Sequence, residues 1–226
     1  MSQSDIGSRG LAAGPQADRK LRLAHLLLWI TLTGLYLAVL RTNARVVPGI
    51  IGTVIATAAA AFAGIAGSGL AIVTWRRVRG VRLPTEPGEW LLFVLGVIFV
   101  LDVAKTVWPE RTVVYPAPIA AALSCLATVV PMLSRRLEPA WKGFFGVMVI
   151  LQATTLVMLA LQVGGHARAG TQILIAVNRV QFGAACMVPA VVSAWEARRG
   201  SHRSWMHWLG VGMYSLWMSL LLWTTL

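Results

Sequence analysis

Seven long apolar stretches, joined by short polar connectors, constrain this chain more than any other feature. Their approximate limits are 23–40, 47–74, 88–108, 113–133, 144–163, 171–195 and 205–225. Each lies near the roughly 20 residues that cross a bilayer as a helix. Backbone groups in lipid must pair internally, and runs this long and this uniformly apolar do not suit barrel strands. The composition agrees. Charged residues make up 12% of the chain, about half of the roughly 25% found in soluble domains. The expected fold is therefore an all-α integral membrane protein, a compact bundle of seven transmembrane helices. Residues 1–22 are polar and rich in Gly, Ser and charge, and read as a flexible tail; residues 23–226 form one transmembrane domain.

The net charge of +12 does not point to nucleic acid, because the basic residues form short clusters between apolar runs. With the N-terminus in the cytoplasm, the inner segments hold Arg9, Arg19, Lys20 and Arg22; Arg76, Arg77, Arg79 and Arg82; Arg135, Arg136 and Lys142; and Arg198, Arg199 and Arg203. The outer segments hold only Arg41, Arg45, Arg111 and Arg168. That asymmetry follows the positive-inside rule and predicts an N-in, C-out topology in the plasma membrane. Tryptophans agree: Trp75, Trp90, Trp141, Trp195, Trp205 and Trp208 fall at or just before inner helix ends, and Trp108 and Trp223 at outer ends. Such rings suit the headgroup level and read as anchors.

The second helix carries Gly52, Ala56, Ala60, Gly64 and Ser68 at every fourth position. Small residues at that spacing let another helix approach closely. The expected partner is a neighbour in the bundle, and a second copy or another membrane protein is the alternative. Pro116 and Pro118 fall in the first turns of the fourth helix, where missing donors cost little. Pro189 falls inside the sixth and predicts a kink. Cys125 and Cys186 sit in apolar runs without a CxxC, which excludes a disulfide scaffold or a thiolate zinc site.

Catalytic chemistry finds little footing. There is no HExxH, P-loop or GxSxG motif. Of the eight acidic residues, only Asp102 lies well inside a helix, so no intramembrane carboxylate pair exists. A non-enzymatic role follows, with no cofactor assigned. The most informative constellation is Asp102, Lys105, Asn178 and Arg179 on helices three and six. At 1.5 Å per residue, Asp102 lies about 9 Å and Arg179 about 12 Å below the outer end. Ionisable groups at such depth usually face the bundle interior. The pattern fits either an Asp102–Arg179 clamp or an outward-facing polar pocket that favours an anion, with Gln152, Gln162, Gln172 and Gln181 as further polar lining.

His25 and His207 begin the first and seventh helices at matching depth, a weak pattern for haem ligation from two sides. Rhodopsins and G-protein-coupled receptors place their N-terminus outside, and retinal proteins need a lysine in the last helix; residues 205–225 contain none. The leading expectation is transport or sensing of a small solute through the polar cluster of helices three and six. The rivals are a non-catalytic accessory or assembly subunit of a membrane complex and, more remotely, a b-type haem protein.

Overall fold

The computed structural model describes residues 23–42, 50–79, 86–107, 116–163 and 167–225. The expected tail over 1–22 and Trp108 lie outside the described residues, as do the side chains of Gly52, Asp102, Lys105 and Gln162. The fold is all-helical, with seven helices and no strand among the described residues: α1 (Leu23–Thr42), α2 (Ile50–Val78), α3 (Pro87–Val107), α4 (Pro116–Met132), α5 (Pro139–Val163), α6 (Ala167–Arg198) and α7 (Trp205–Thr225). These bounds follow the apolar runs read from the sequence to within a few residues. Among the described residues, three helices are long and apolar enough to cross a membrane, over Ala56–Arg76, Pro139–Leu161 and Thr171–Arg198. Shorter apolar stretches occupy His25–Val39, Pro87–Leu101 and Ile119–Met132.

Local chemistry sets the ends. α3, α4 and α5 each begin on a proline, whose fixed φ suits the first helical position and whose missing N–H would be unpaired there anyway. α6 runs through Pro189 and ends on Gly200, the left-handed residue (φ 79°) of a Schellman cap. Ser201 N donates to Glu196 O at 3.2 Å and Gly200 N to Ala197 O at 3.0 Å. The chain thereby reverses tightly and carries Arg203 back beside Glu196.

The helices alternate in direction. α3, α5 and α7 begin where α2 and α6 end, as cross-contacts at that end show: Arg76 to Glu89, Trp141 to Glu196, and Gly88 to His207. Because its connectors carry these charges, we call it the charged end. Five helices close a ring in which α3 packs on α4, α4 on α5, α5 on α6, α6 on α7 and α7 back on α3. α2 packs against the outside of α3, and α1 against α2.

Small residues make both outer contacts close. Ala56, Ala60, Gly64 and Ser68 are all buried, and a Cβ on Gly64 would collide with Thr33 of α1. At Gly64 the stripe read from the sequence thus meets a neighbour in the same chain. Trp29 Nε1 adds a hydrogen bond to Ala61 O at 3.1 Å. On the far side of α2, a Cβ on Gly69 would press on Leu92, and one on Gly96 would meet Ala66 O. α3 and α7 touch most closely at the charged end, where Gly88 and Gly210 lie backbone to backbone.

The core fills the charged half of the ring. Trp90, Trp141, Phe145 and Met148 are at most 1% exposed, and Tyr214 is 2% exposed. The anchoring expected of Trp90 and Trp141 is therefore corrected. Both indoles turn inward, Trp90 against Phe93 and Trp141 against Phe144 and His207. Trp75, Trp195, Trp208 and Trp223 are exposed, as anchors require. Arg79 and Arg199 stack over Trp75 and Trp195 at 4.2 and 3.6 Å.

Candidate functional site

Beyond the aromatic core, toward the other end, the ring opens into a cavity of about 290 Å³. All five ring helices line it: Ile98 and Leu101 from α3, Ser124 from α4, Gln152 and Thr155 from α5, Asn178 and Gln181 from α6, and Trp217 from α7. Gln152, Thr155, Asn178 and Gln181 lie about 16–24 Å along their helices, near mid-depth of the bundle. The volume is at the lower edge of ligand pockets, which run to roughly 300–1,000 Å³. None of the described lining residues is ionisable.

Its hydrogen bonding is incomplete. Thr155 Oγ1 sits 3.1 Å from Leu151 O and 3.4 Å from both Asn178 Oδ1 and Gln181 Oε1. A hydroxyl carries one hydrogen, so it can donate to only one of these three oxygens. Turning over either carboxamide would present its NH2 to Thr155 instead. Gln152 is 8% exposed, and its Oε1 has no hydrogen-bond partner among the described residues. The same holds for Trp217 Nε1. A buried polar group left unpaired costs about 1–3 kcal/mol. Two such groups line this one cavity, where another molecule, water included, could complete the bonding.

The sequence-predicted cluster divides across this geometry. Asn178 lines the cavity, while its neighbour Arg179 is exposed on another face of α6. One helical step of about 100° separates the two, and Arg179 is not among the cavity's described lining residues. The side chains of Asp102 and Lys105 lie outside the described residues, and so does any Asp102–Arg179 pairing. Of the four glutamines, Gln152 and Gln181 line the cavity and Gln172 is exposed. Ser124, Thr155 and Trp217 are lining residues that sequence reasoning missed. Serine and threonine are common on apolar helices, where they bond back to their own carbonyls, so only their convergence distinguishes these.

A second polar cluster holds the charged end. His207 is fully buried; its Nδ1 accepts from Gly88 N at 3.2 Å, and its Nε2 lies 3.1 Å from Ser193 Oγ. Both ring nitrogens are engaged with protein groups, so the haem pattern read from His25 and His207 is not supported. His25 lines a separate apolar cavity of about 220 Å³ between α1, α2 and the start of α7. Nearby, Trp141 Nε1 donates to Glu196 Oε1 at 2.8 Å. Arg203 bridges Glu196 at 3.0 Å and Glu138 at 2.5 Å. Ser204 donates to Glu86 through both its backbone N–H and its hydroxyl.

Electrostatics in the connectors follow this bridging. The contact with Glu196 and the Arg203 guanidinium together outweigh partial burial and hold the Glu138 carboxyl below its usual range. Burial would lower Arg203, but the carboxylates of Glu138 and Glu196 outweigh it and raise it. This cluster is closed by packing and already satisfied, which suits a structural lock better than a binding site.

Cys125 and Cys186 are free thiols, each half-buried. Cys186 Sγ lies 2.8 Å from Ser219 Oγ, and Cys125 Sγ lies 3.9 Å from Val149 O. No group of three or more His, Cys, Asp or Glu residues suited to a metal occurs among the described residues. No family model, curated protein or solved structure matches this chain.

Proposed function

We propose that this chain is a seven-span plasma-membrane protein, N-in and C-out, that binds a small solute in the cavity of its five-helix ring, for transport or sensing. The observation that carries the reading is the cavity itself. It sets several polar groups in a mostly apolar lining, lies near mid-depth, is lined by all five ring helices, and contains a buried Gln152 oxygen without a hydrogen-bond partner among the described residues. Ligand sites between the helices of a bundle have this form. Helix length supports the seven spans. α1, α3 and α7, with 20 or 21 residues, extend about 30–32 Å, close to the hydrocarbon thickness, while the 17 residues of α4 extend about 26 Å and span it only with its flanking residues. The excess of Lys and Arg at the charged end supports its cytoplasmic placement.

The accessory-subunit reading is weakened at one point, because the small-residue stripe of α2 meets α1 at Gly64. The absence of a catalytic motif suits both readings.

The test is a solute screen on detergent-purified protein, read by thermal stabilisation, with Ser124→Phe as the cavity-filling control. Saturable stabilisation that Ser124→Phe abolishes is the expected result. Purification only in fixed stoichiometry with other chains, with no solute response, would instead make the protein a subunit. Reporter fusions at both termini check the topology; a C-terminal fusion active in the cytoplasm would overturn it.

A further inference from the structure

The chemistry of the cavity lining says what kind of solute it takes. Three carboxamides, Gln152, Asn178 and Gln181, meet there, with the hydroxyls of Ser124 and Thr155 and the Trp217 indole N–H. A carboxamide offers a donor and an acceptor side by side in one plane. Groups of this kind match a partner that offers the same pair in reverse. None of the described lining groups carries a charge.

A charged solute would lose its hydration on entering the middle of the bundle. Neutral dipoles repay that loss poorly without an opposite charge. Arg179, which gave the sequence reading its anionic bias, is exposed on another face of α6. The rest of the lining is apolar and partly aromatic. Phe182 joins Trp217, whose ring is held against Phe99 with centroids 4.6 Å apart. Flat rings favour a flat occupant through offset or edge contacts.

We infer that the cavity takes a small, uncharged, planar solute with an amide-type edge, which donates to Gln152 Oε1 and accepts from Trp217 Nε1. This inference rests on the solute-binding reading proposed above. It deepens that reading by excluding ions and by assigning Gln152 as the residue that sets specificity. A solute lacking the donor leaves the Gln152 oxygen unpaired in the complex, and such mismatches discriminate strongly between analogues of one shape.

The experiment compares three probes of similar shape, benzamide, benzoate and benzylammonium, on the purified full-length protein. Binding is read by thermal shift and by calorimetry. Benzamide is expected to bind saturably, and the two ions at least tenfold more weakly. Gln152→Leu is expected to weaken benzamide at least tenfold. Gln152→Glu is expected to shift the preference toward benzylammonium, a gain that a misfolded variant would not show.

If either ion binds wild-type protein as tightly as benzamide, the uncharged class is overturned. If no probe binds while a screened solute does, and Ser124→Phe blocks that solute, the amide class falls but the cavity stands. If no solute of any class responds to Ser124→Phe, both the class and the solute-binding reading fall.

Discussion

Trp141, fully buried at the start of α5, donates its indole hydrogen to Glu196 near the end of α6 at 2.8 Å. The same Glu196 oxygen receives Arg203 from the α6–α7 connector at 3.0 Å. One carboxylate therefore ties two helices and a loop together where the ring closes. It can sit there, 4% exposed, because a charge and an indole both point at it.

Removing that charge should be costly. Arg203→Gln leaves Glu196 buried without its cation, a change that typically costs about 3–5 kcal/mol. Melting in detergent should fall by several degrees. Combining it with Glu196→Gln should recover part of the loss. A double variant no more stable than Arg203→Gln alone would show that the pair is not coupled.

Glycines separate into two classes. Gly88→Ala and Gly210→Ala each place a methyl group into facing backbone, of His207 and Gly88 respectively. Backbone cannot swing aside as a side chain can, so both should sharply reduce folded protein. Gly143→Ala and Gly212→Ala meet open space and should be neutral, or stabilising by up to about 1 kcal/mol through helix propensity. Comparable yields from all four variants, measured by size-exclusion chromatography, would contradict the close α3–α7 contact.

Acid should loosen the α4–α5 connector. Glu138 has a folded-state pKa below its ordinary value of 4.5. Its stabilising contribution is therefore complete above that value and is lost as pH falls through the lower folded-state value. Glu138 is half-exposed (49%), so solvent screening keeps the effect small. The melting temperature should fall between about pH 5 and pH 3, and by less in Glu138→Gln. An identical acid profile in the two proteins would exclude Glu138 as a contributor.

The cavity predicts a gain in stability at the expense of binding. Gln152→Leu replaces an unpaired buried oxygen with an apolar group of similar size. The empty protein should gain about 1–3 kcal/mol, the penalty usually attached to such a group. Differential scanning fluorimetry without added solute reads it directly. A lower melting temperature would mean that Gln152 makes a net favourable contribution in the empty protein.

Much of the fold was legible before any coordinates. Apolar runs marked all seven helices, and prolines marked the start of α4, whereas α5 begins at Pro139, five residues before its apolar run suggested. The stripe from Ala56 to Ser68 announced a close helix contact, though not that α1 would fill it. The site was legible only in part. Asn178 was singled out for its depth, and Gln152 and Gln181 for their polarity. Ser124, Thr155 and Trp217 carried no signal, because each is ordinary on its own helix. Arg179 drew attention as a charge at depth, yet its rotation about α6 sets it apart from Asn178.

The sequence by itself determined how many helices form, where they begin and end, and which connectors carry the charge. Those properties depend on hydropathy, proline and glycine, which act over neighbouring residues. Only the tertiary structure decided that α3 to α7 close into a ring, that Trp90 and Trp141 turn inward, and that three carboxamides meet in one cavity. Nearly uniform apolar helices bear little periodic signal to set their rotation. The facing of each side chain is settled by how small residues such as Gly64, Gly88 and Gly210 let the backbones approach.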